Sequence, residues 1–175
     1  KPGKMAINVS MHQLKDPNFI NEVKEIINEN GLDPQYLELE ITENIMRNLK
    51  ELEAVLDKLK EIGVQISIDD FGTGYSSLSV LQGLPINTLK IDKSFIMNST
   101  NDEKSATLVK TIINMAKNLD LNIIAEGVEK RTQVDLLRSN DCRTGQGFLF
   151  SRPLPVSDIT DILDFDSSGF ILDTV

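Results

Sequence analysis

The 175 residues amount to one domain, and 40% apolar with 26% charged residues is the make-up of a soluble globular chain. A net charge of −9, from 27 acids against 18 bases, excludes a surface for long nucleic acid, which needs a basic face. No apolar run reaches the roughly 18 residues of a membrane helix, and the start KPGKMAINVS lacks a secretory pattern. The lone Cys142 excludes an internal disulfide and a cysteine-based zinc site. These features together lead us to expect a cytoplasmic protein, and any phosphate ligand would need local help from bound cations.

In chain order, short apolar and β-branched runs predict strands over Met5–Val9, Leu37–Ile41, Val64–Ile68, Thr88–Ile91, Asn122–Ala125 and Phe148–Phe150. Between the first two, Phe19, Ile20, Val23, Ile26 and Ile27 recur at helical spacing, and the helix should stop at Asn30-Gly31. Leu49, Leu52, Leu56, Leu59 and Ile62 make a second stripe closed by Gly63, and Leu108, Ile112, Met115 and Leu119 make a third. Shorter helices are expected over Gln133–Ser139 and, with Ser157 as N-cap, over Asp158–Leu163.

Strand and helix in alternation, with one apolar face per helix, imply an α/β fold with a parallel sheet covered by helices. No G-x-G-x-x-G follows any strand, so the nucleotide fingerprint of the open doubly wound sheet is absent. A closed (β/α) barrel of eight units takes about 250 residues. Six units are countable here, which predicts a TIM-like barrel whose first two units are not in this chain. No linker, low-complexity segment or repeat divides it. We therefore expect one domain over residues 1–165 and a tail over 166–175.

Polar residues gather at the strand ends. The first strand ends at Asn8, the second carries Glu40 followed by Glu43, and the third runs into Asp69 and Asp70. The fourth holds Lys90 with Asp92 after it, the fifth ends at Glu126 with Glu129 following, and Gln146 lies just before or at the start of the sixth. In a barrel the C-terminal strand ends meet at one mouth, where active sites sit. A cluster of buried carboxylates is costly unless a cation offsets it. The donors are all oxygen, which suits Mg²⁺ or Mn²⁺ rather than zinc. Adjacent acids such as Asp69-Asp70 can reach different ions, and two ions about 4 Å apart can activate a water and stabilise displacement at a phosphodiester. Lys90 would then neutralise developing charge or hold the water, with Glu126 as proton acceptor.

Other signals carry less. DFG at Asp70–Gly72 has no accompanying kinase element, and GTGYSS at Gly72–Ser77 lacks the Lys-Ser/Thr pair of a phosphate loop. It reads as a loop over the barrel mouth. His12 reads as a structural or surface residue, and the two glycosylation patterns, at Asn8 and Asn98, are chance matches in an unsecreted chain.

NVS, ELEITE, IDDFGTGYSSL, LPINTLKID, IAEGVE and GQGFLFSRPLP, in this order and spacing, resemble the successive signature blocks of EAL domains. The likeness runs through Pro155. It implies a barrel that hydrolyses cyclic di-GMP to linear pGpG with Mg²⁺ or Mn²⁺. It further implies Asn8, Glu40, Asp69, Asp70 and Glu126 as ligands of two metal ions. Lys90 would contact the catalytic water, and Glu126 or Asp70 would help deprotonate it. Glu129, Gln146 and Asp92 would stand in the surrounding substrate and water network. Glu43 would anchor the Asp70–Ser79 loop, which in this family couples metal binding to dimerisation, so a homodimer is expected. Ca²⁺ would inhibit, because its larger radius and looser coordination fit poorly with activating a water.

The departure from the family pattern is at the beginning. The Glu-Ala-Leu triplet, which supplies a further metal-binding Glu, precedes the NVS block in the family, and none occurs in these residues. Upstream sensory or cyclase domains, common in the family, would lie outside this chain. The competing readings are a catalytically inactive receptor or dimeric relay for cyclic di-GMP, and a barrel enzyme of another divalent-metal class. Retention of every visible ligand position favours catalysis.

Overall fold

In the computed structural model, which describes residues 3–74 and 78–159 without the side chains of 46–50, the chain forms two units, Pro2–Leu89 and Lys90–Val175. In the first, β1 (Met5–Asn8), β2 (Leu37–Thr42) and β3 (Gln65–Phe71) pair in parallel in that order. Parallel neighbours need a crossover, and helices supply it. After β1, Ser10 caps α1 (Met11–Leu14): the Gln13 N–H donates to Ser10 Oγ, and the Ser10 N–H donates back to Gln13 Oε1 at 3.0 Å. Then α2 (Phe19–Glu29) buries Phe19, Val23 and Ile27 but leaves Ile26 57% exposed, so the stripe is narrower than the sequence suggests. The helix stops as expected at Asn30-Gly31, where Gly31 takes φ +58°.

Between β2 and β3, a 3-10 segment over Glu43–Asn48 leads into α3 (Leu49–Ile62). Leu52, Leu56 and Leu59 of α3 are at most 1% exposed, and Ile66 and Ile68 of β3, against which α3 packs, are fully buried. Each such side chain contributes about 1.5–3 kcal/mol. Gly63, at φ +100°, closes the helix as its sequence position predicts. After α4 (Leu78–Gly83), Asn87 binds Ile66 twice, accepting from its N–H at 3.0 Å and donating its own N–H to the Ile66 carbonyl at 2.8 Å. Strand β4 (Thr88–Ile91), buried throughout, carries the chain from the first unit into the second.

In the second unit, β5 (Asn122–Glu126) and β6 (Gly145–Gln146) pair in parallel, with Glu126 opposite Gln146. Helix α5 (Lys93–Asn98) packs on β5 and on α6 (Glu103–Asn118). Helix α6 buries Val109, Ile112, Ile113 and Ala116 and leaves Leu108 45% exposed. The expected stripe through Leu108 is therefore rotated toward its β-branched neighbours. Helix α7 (Arg131–Ser139) buries Val134, Leu137 and Gln133.

Two expectations are corrected. The sixth strand is Gly145–Gln146, not Phe148–Phe150. A side chain at Gly147 would overlap the Val128 backbone, and beyond it the Phe150 N–H closes a turn onto the Gly147 carbonyl, so the aromatic run bends away from the sheet. The last helix begins at Val156, so Ser157 stands inside it rather than capping it, with the Ile159 N–H already bonded to the Pro155 carbonyl. The remainder of that helix, the tail over 166–175 and Tyr75–Ser77 of the GTGYSS segment lie outside the described residues. Among the described residues no helix is long and apolar enough to cross a membrane.

Candidate active site

The first unit places its candidates by register. Asn8 on β1 is the direct partner of Glu40 on β2, and Thr42 of β2 is the partner of Asp69 on β3. Side chains at alternate positions share a face, so Asn8, Glu40 and Asp69 occupy one face of this sheet near the strands' C-terminal ends. Glu40 is 8% exposed, whereas Asn8 on the edge strand is open to solvent. An amide oxygen and two carboxylates on one face fit a hard divalent cation and give zinc none of the nitrogen or sulfur donors it prefers.

The chain turns directly after Asp69. Asp70 takes φ +54°, a left-handed conformation uncommon outside glycine, asparagine and aspartate. Glu43, 5% exposed, secures the loop beyond this turn: Gly72 and Gly74 each donate a backbone N–H to its Oε2 at 2.9 Å. Charge-assisted bonds of this kind are roughly twice as strong as neutral ones. A Cβ at Gly74 would lie 3.0 Å from the Glu43 carboxyl carbon, so only glycine lets the loop come this close without displacing the acid.

In the second unit the Lys90 ammonium meets Glu126 Oε1 at 2.7 Å, with the two side chains 3% and 13% exposed. Gln146, beside Glu126 in the register, donates its Nε2 to the same oxygen at 3.2 Å. Asp92, two residues after Lys90 and 7% exposed, caps α5, accepting from the Ser94 N–H at 2.9 Å and from the Ser94 hydroxyl. Glu129 is exposed in the loop after β5. The loop itself is tightly held: Gly127 has φ +67°, and a Cβ there would sit 2.5 Å from Lys93 Cβ. Cys142 offers no nucleophile, since burial pushes its thiol up to about 11.

Two residues of this constellation are not singled out by the sequence. Glu38, 3% exposed on the same face of β2 as Glu40, pairs with Lys4 at 3.4 Å, and its Oε1 has no hydrogen-bond partner among the described residues. The alternation of ELE within LELEITE was the available signal, since a two-residue period puts both acids on one face. Gln133, 2% exposed, has both ends of its side-chain amide bonded, to the loop of Glu129 and to α5. Nothing in its sequence position distinguishes it from a polar residue on a solvated helix face.

Comparison with known proteins agrees with this architecture. The EAL domain family matches residues 1–153. Cyclic di-GMP phosphodiesterase NbdA of Pseudomonas aeruginosa is 42% identical over 161 residues, covering 91% of this chain but 21% of that protein. The chain thus spans about a fifth of the length of curated relatives such as this one and signaling protein YkoW of Bacillus subtilis, which is 48% identical over 152 residues. Among solved structures, the PaMucR phosphodiesterase in its c-di-GMP complex superposes with a TM-score of 0.86 at 39% identity, over 89% of this chain and 64% of that one. The EAL domain of Mycobacterium smegmatis DcpA gives 0.88 at 38% identity, over 93% and 73%. The six strands and their helices have the α/β barrel fold of these domains in part, and the chain belongs to the EAL domain family.

Proposed function

We propose that this chain is the larger part of a domain that hydrolyses cyclic di-GMP to linear pGpG, with Mg²⁺ or Mn²⁺ held by Asn8, Glu40, Asp69, Asp70 and Glu126. The observation that carries the reading is the Lys90–Glu126 pair, a lysine buried at the sheet with its ammonium 2.7 Å from a carboxylate at a strand's C-terminal end. Buried ion pairs contribute little net stability and are weak structural devices. A pair of opposite charges with the carboxylate still 13% exposed suits proton handling at a reaction centre.

Divalent ions in such a site lower the pKa of a bound water and take up charge on the phosphoryl oxygens. In the hydrolysis a water oxygen bonds to phosphorus, the P–O3′ bond breaks, and the 3′ oxygen gains a proton. The 5′-phosphate remains on the linear product. Glu126 or Asp70 accepts the water's proton, and Lys90 orients that water and offsets the charge that builds up. Glu129, Gln146 and Asp92 complete the polar network around substrate and water. Glu43 holds the loop after Asp70, and pairing of two copies through that loop belongs to the same reading. NbdA's name and the PaMucR complex support cyclic di-GMP as the substrate class, and a nucleotide second messenger fits a cytoplasmic reaction.

Turnover of cyclic di-GMP by this chain and by the full-length protein, each with Mg²⁺, Mn²⁺ or Ca²⁺, tests the reading. We expect pGpG from the full-length protein with Mg²⁺ or Mn²⁺ but not with Ca²⁺, and its loss in Glu126→Ala. Binding of cyclic di-GMP without turnover in the full-length protein would make the domain a receptor.

A further inference from the structure

Glu129 lies outside any strand or helix, in the loop between β5 and α7, so something other than regular structure must fix where its carboxylate stands. The first half of that loop is held by shape. Gly127 is pressed against Lys93 at the start of α5. Val128, fully buried, donates its N–H to the Gln146 carbonyl at 3.1 Å and accepts from the Leu149 N–H at 3.0 Å. The second half, Glu129 and Lys130, is held by a side chain. Gln133 Oε1 accepts from both the Glu129 and the Lys130 N–H at 2.8 Å. Its Nε2 donates across 37 residues to the Ile96 carbonyl at 3.1 Å, near the end of α5.

One buried amide thus spans two functional segments. At one end is the main chain that presents Glu129, three residues after Glu126. At the other is α5, the helix that Asp92 caps two residues after Lys90. We propose that Gln133 is a positioning residue for the reaction, whose side-chain amide fixes the Glu129 loop to α5 and so sets where the Glu129 carboxylate is presented. This rests on the phosphodiesterase reading above.

The two ends of the amide do separable work. The acceptor end closes the first turn of α7, as any capping acceptor would. The donor end is the tie to α5, which capping does not need. Gln133→Glu keeps the acceptor and loses the donor, while Gln133→Met keeps length and volume and loses both. Small slack is enough for an effect: displacements of about 1 Å away from the chemistry can cost on the order of 10²-fold in rate.

The test compares kcat and KM for cyclic di-GMP with Mg²⁺ in full-length wild type, Gln133→Glu and Gln133→Met, alongside deuterium uptake in the peptide covering residues 127–133. We expect kcat to fall about 30-fold in both variants with KM within twofold, and uptake to rise only in Gln133→Met. Wild-type kcat in Gln133→Glu would overturn the proposal, leaving Gln133 a helix cap. Unchanged uptake in Gln133→Met would overturn it as well, because the amide would then not be what holds the loop. If Gln133→Glu does not fold, Gln133→Met alone decides by the same two readouts. Absence of turnover in the wild type with normal loop protection would count against the phosphodiesterase reading, and the uptake comparison would still decide whether Gln133 is the clamp.

Discussion

The first unit positions its candidate residues through sheet register, and the second through close-packed loops. Asn8, Glu40 and Asp69 stand where they do because three parallel strands pair at fixed offsets, and the loop after β3 hangs on one carboxylate, Glu43. In the second unit two glycines, Gly127 and Gly147, let backbone press against neighbours, and a buried amide secures the rest. Register tolerates local change, because neighbouring strands restore it. Close approach does not, because there is no space for a side chain to enter. The same kind of substitution should therefore cost more in the second unit than in the first.

The largest expected effect is at the buried ion pair. Glu126→Ala removes the carboxylate that the buried Lys90 ammonium meets at 2.7 Å and should cost about 3 kcal/mol in denaturant unfolding, while abolishing turnover on the phosphodiesterase reading. Next, Gly127→Ala and Gly31→Ala make a matched pair. Both glycines have positive φ, but an added Cβ meets nothing within 4 Å at Gly31 and meets Lys93 Cβ at 2.5 Å at Gly127. We expect about 1 kcal/mol for Gly31→Ala and about 3 kcal/mol for Gly127→Ala, read from urea midpoints. Equal costs would break the comparison. Smaller again, Glu43→Ala removes the shared acceptor of Gly72 and Gly74 and should cost about 2 kcal/mol, with faster amide exchange confined to the loop after β3.

The smallest effect is on pH dependence. Hydrogen bonds from Ser105, in the first turn of α6, hold the exposed Asp102 carboxyl below its ordinary value of 3.8, and the Lys117 ammonium does the same for Asp141. Because the folded values are lowered, their stabilisation is fully present above the ordinary value and is lost as pH falls through the folded one. The gap in urea midpoint between wild type and Asp102→Asn should be constant above pH ~5 and close below pH ~4.

Five strands were legible because β-branched runs such as QISI and TLKI recur between helical stripes. The sixth was displaced because FLF is apolar and β-prone, whereas Gly145-Gln146 has no apolar or β-branched side chain to mark a strand. Helices α1, α4 and α5 span only four to six residues, too short for periodicity to mark. The candidate acids were visible because polar residues ending apolar runs stand out. Gln133 and Glu38 were not, because their meaning comes from burial, and burial of a polar side chain is decided by tertiary packing.

The left-handed backbone at Asp70 bears on how such a domain can change over generations. Asparagine and glycine settle into that conformation at least as readily as aspartate, while alanine or glutamate would strain it. A lineage that gave up hydrolysis could therefore lose the acid at Asp70 with its fold intact, through Asp70→Asn or Asp70→Gly, each a single-nucleotide step in the codon. On the phosphodiesterase reading the descendant would keep the barrel while losing one proposed metal ligand, so the route from enzyme to receptor would be short, and the backbone conformation at one residue keeps it open.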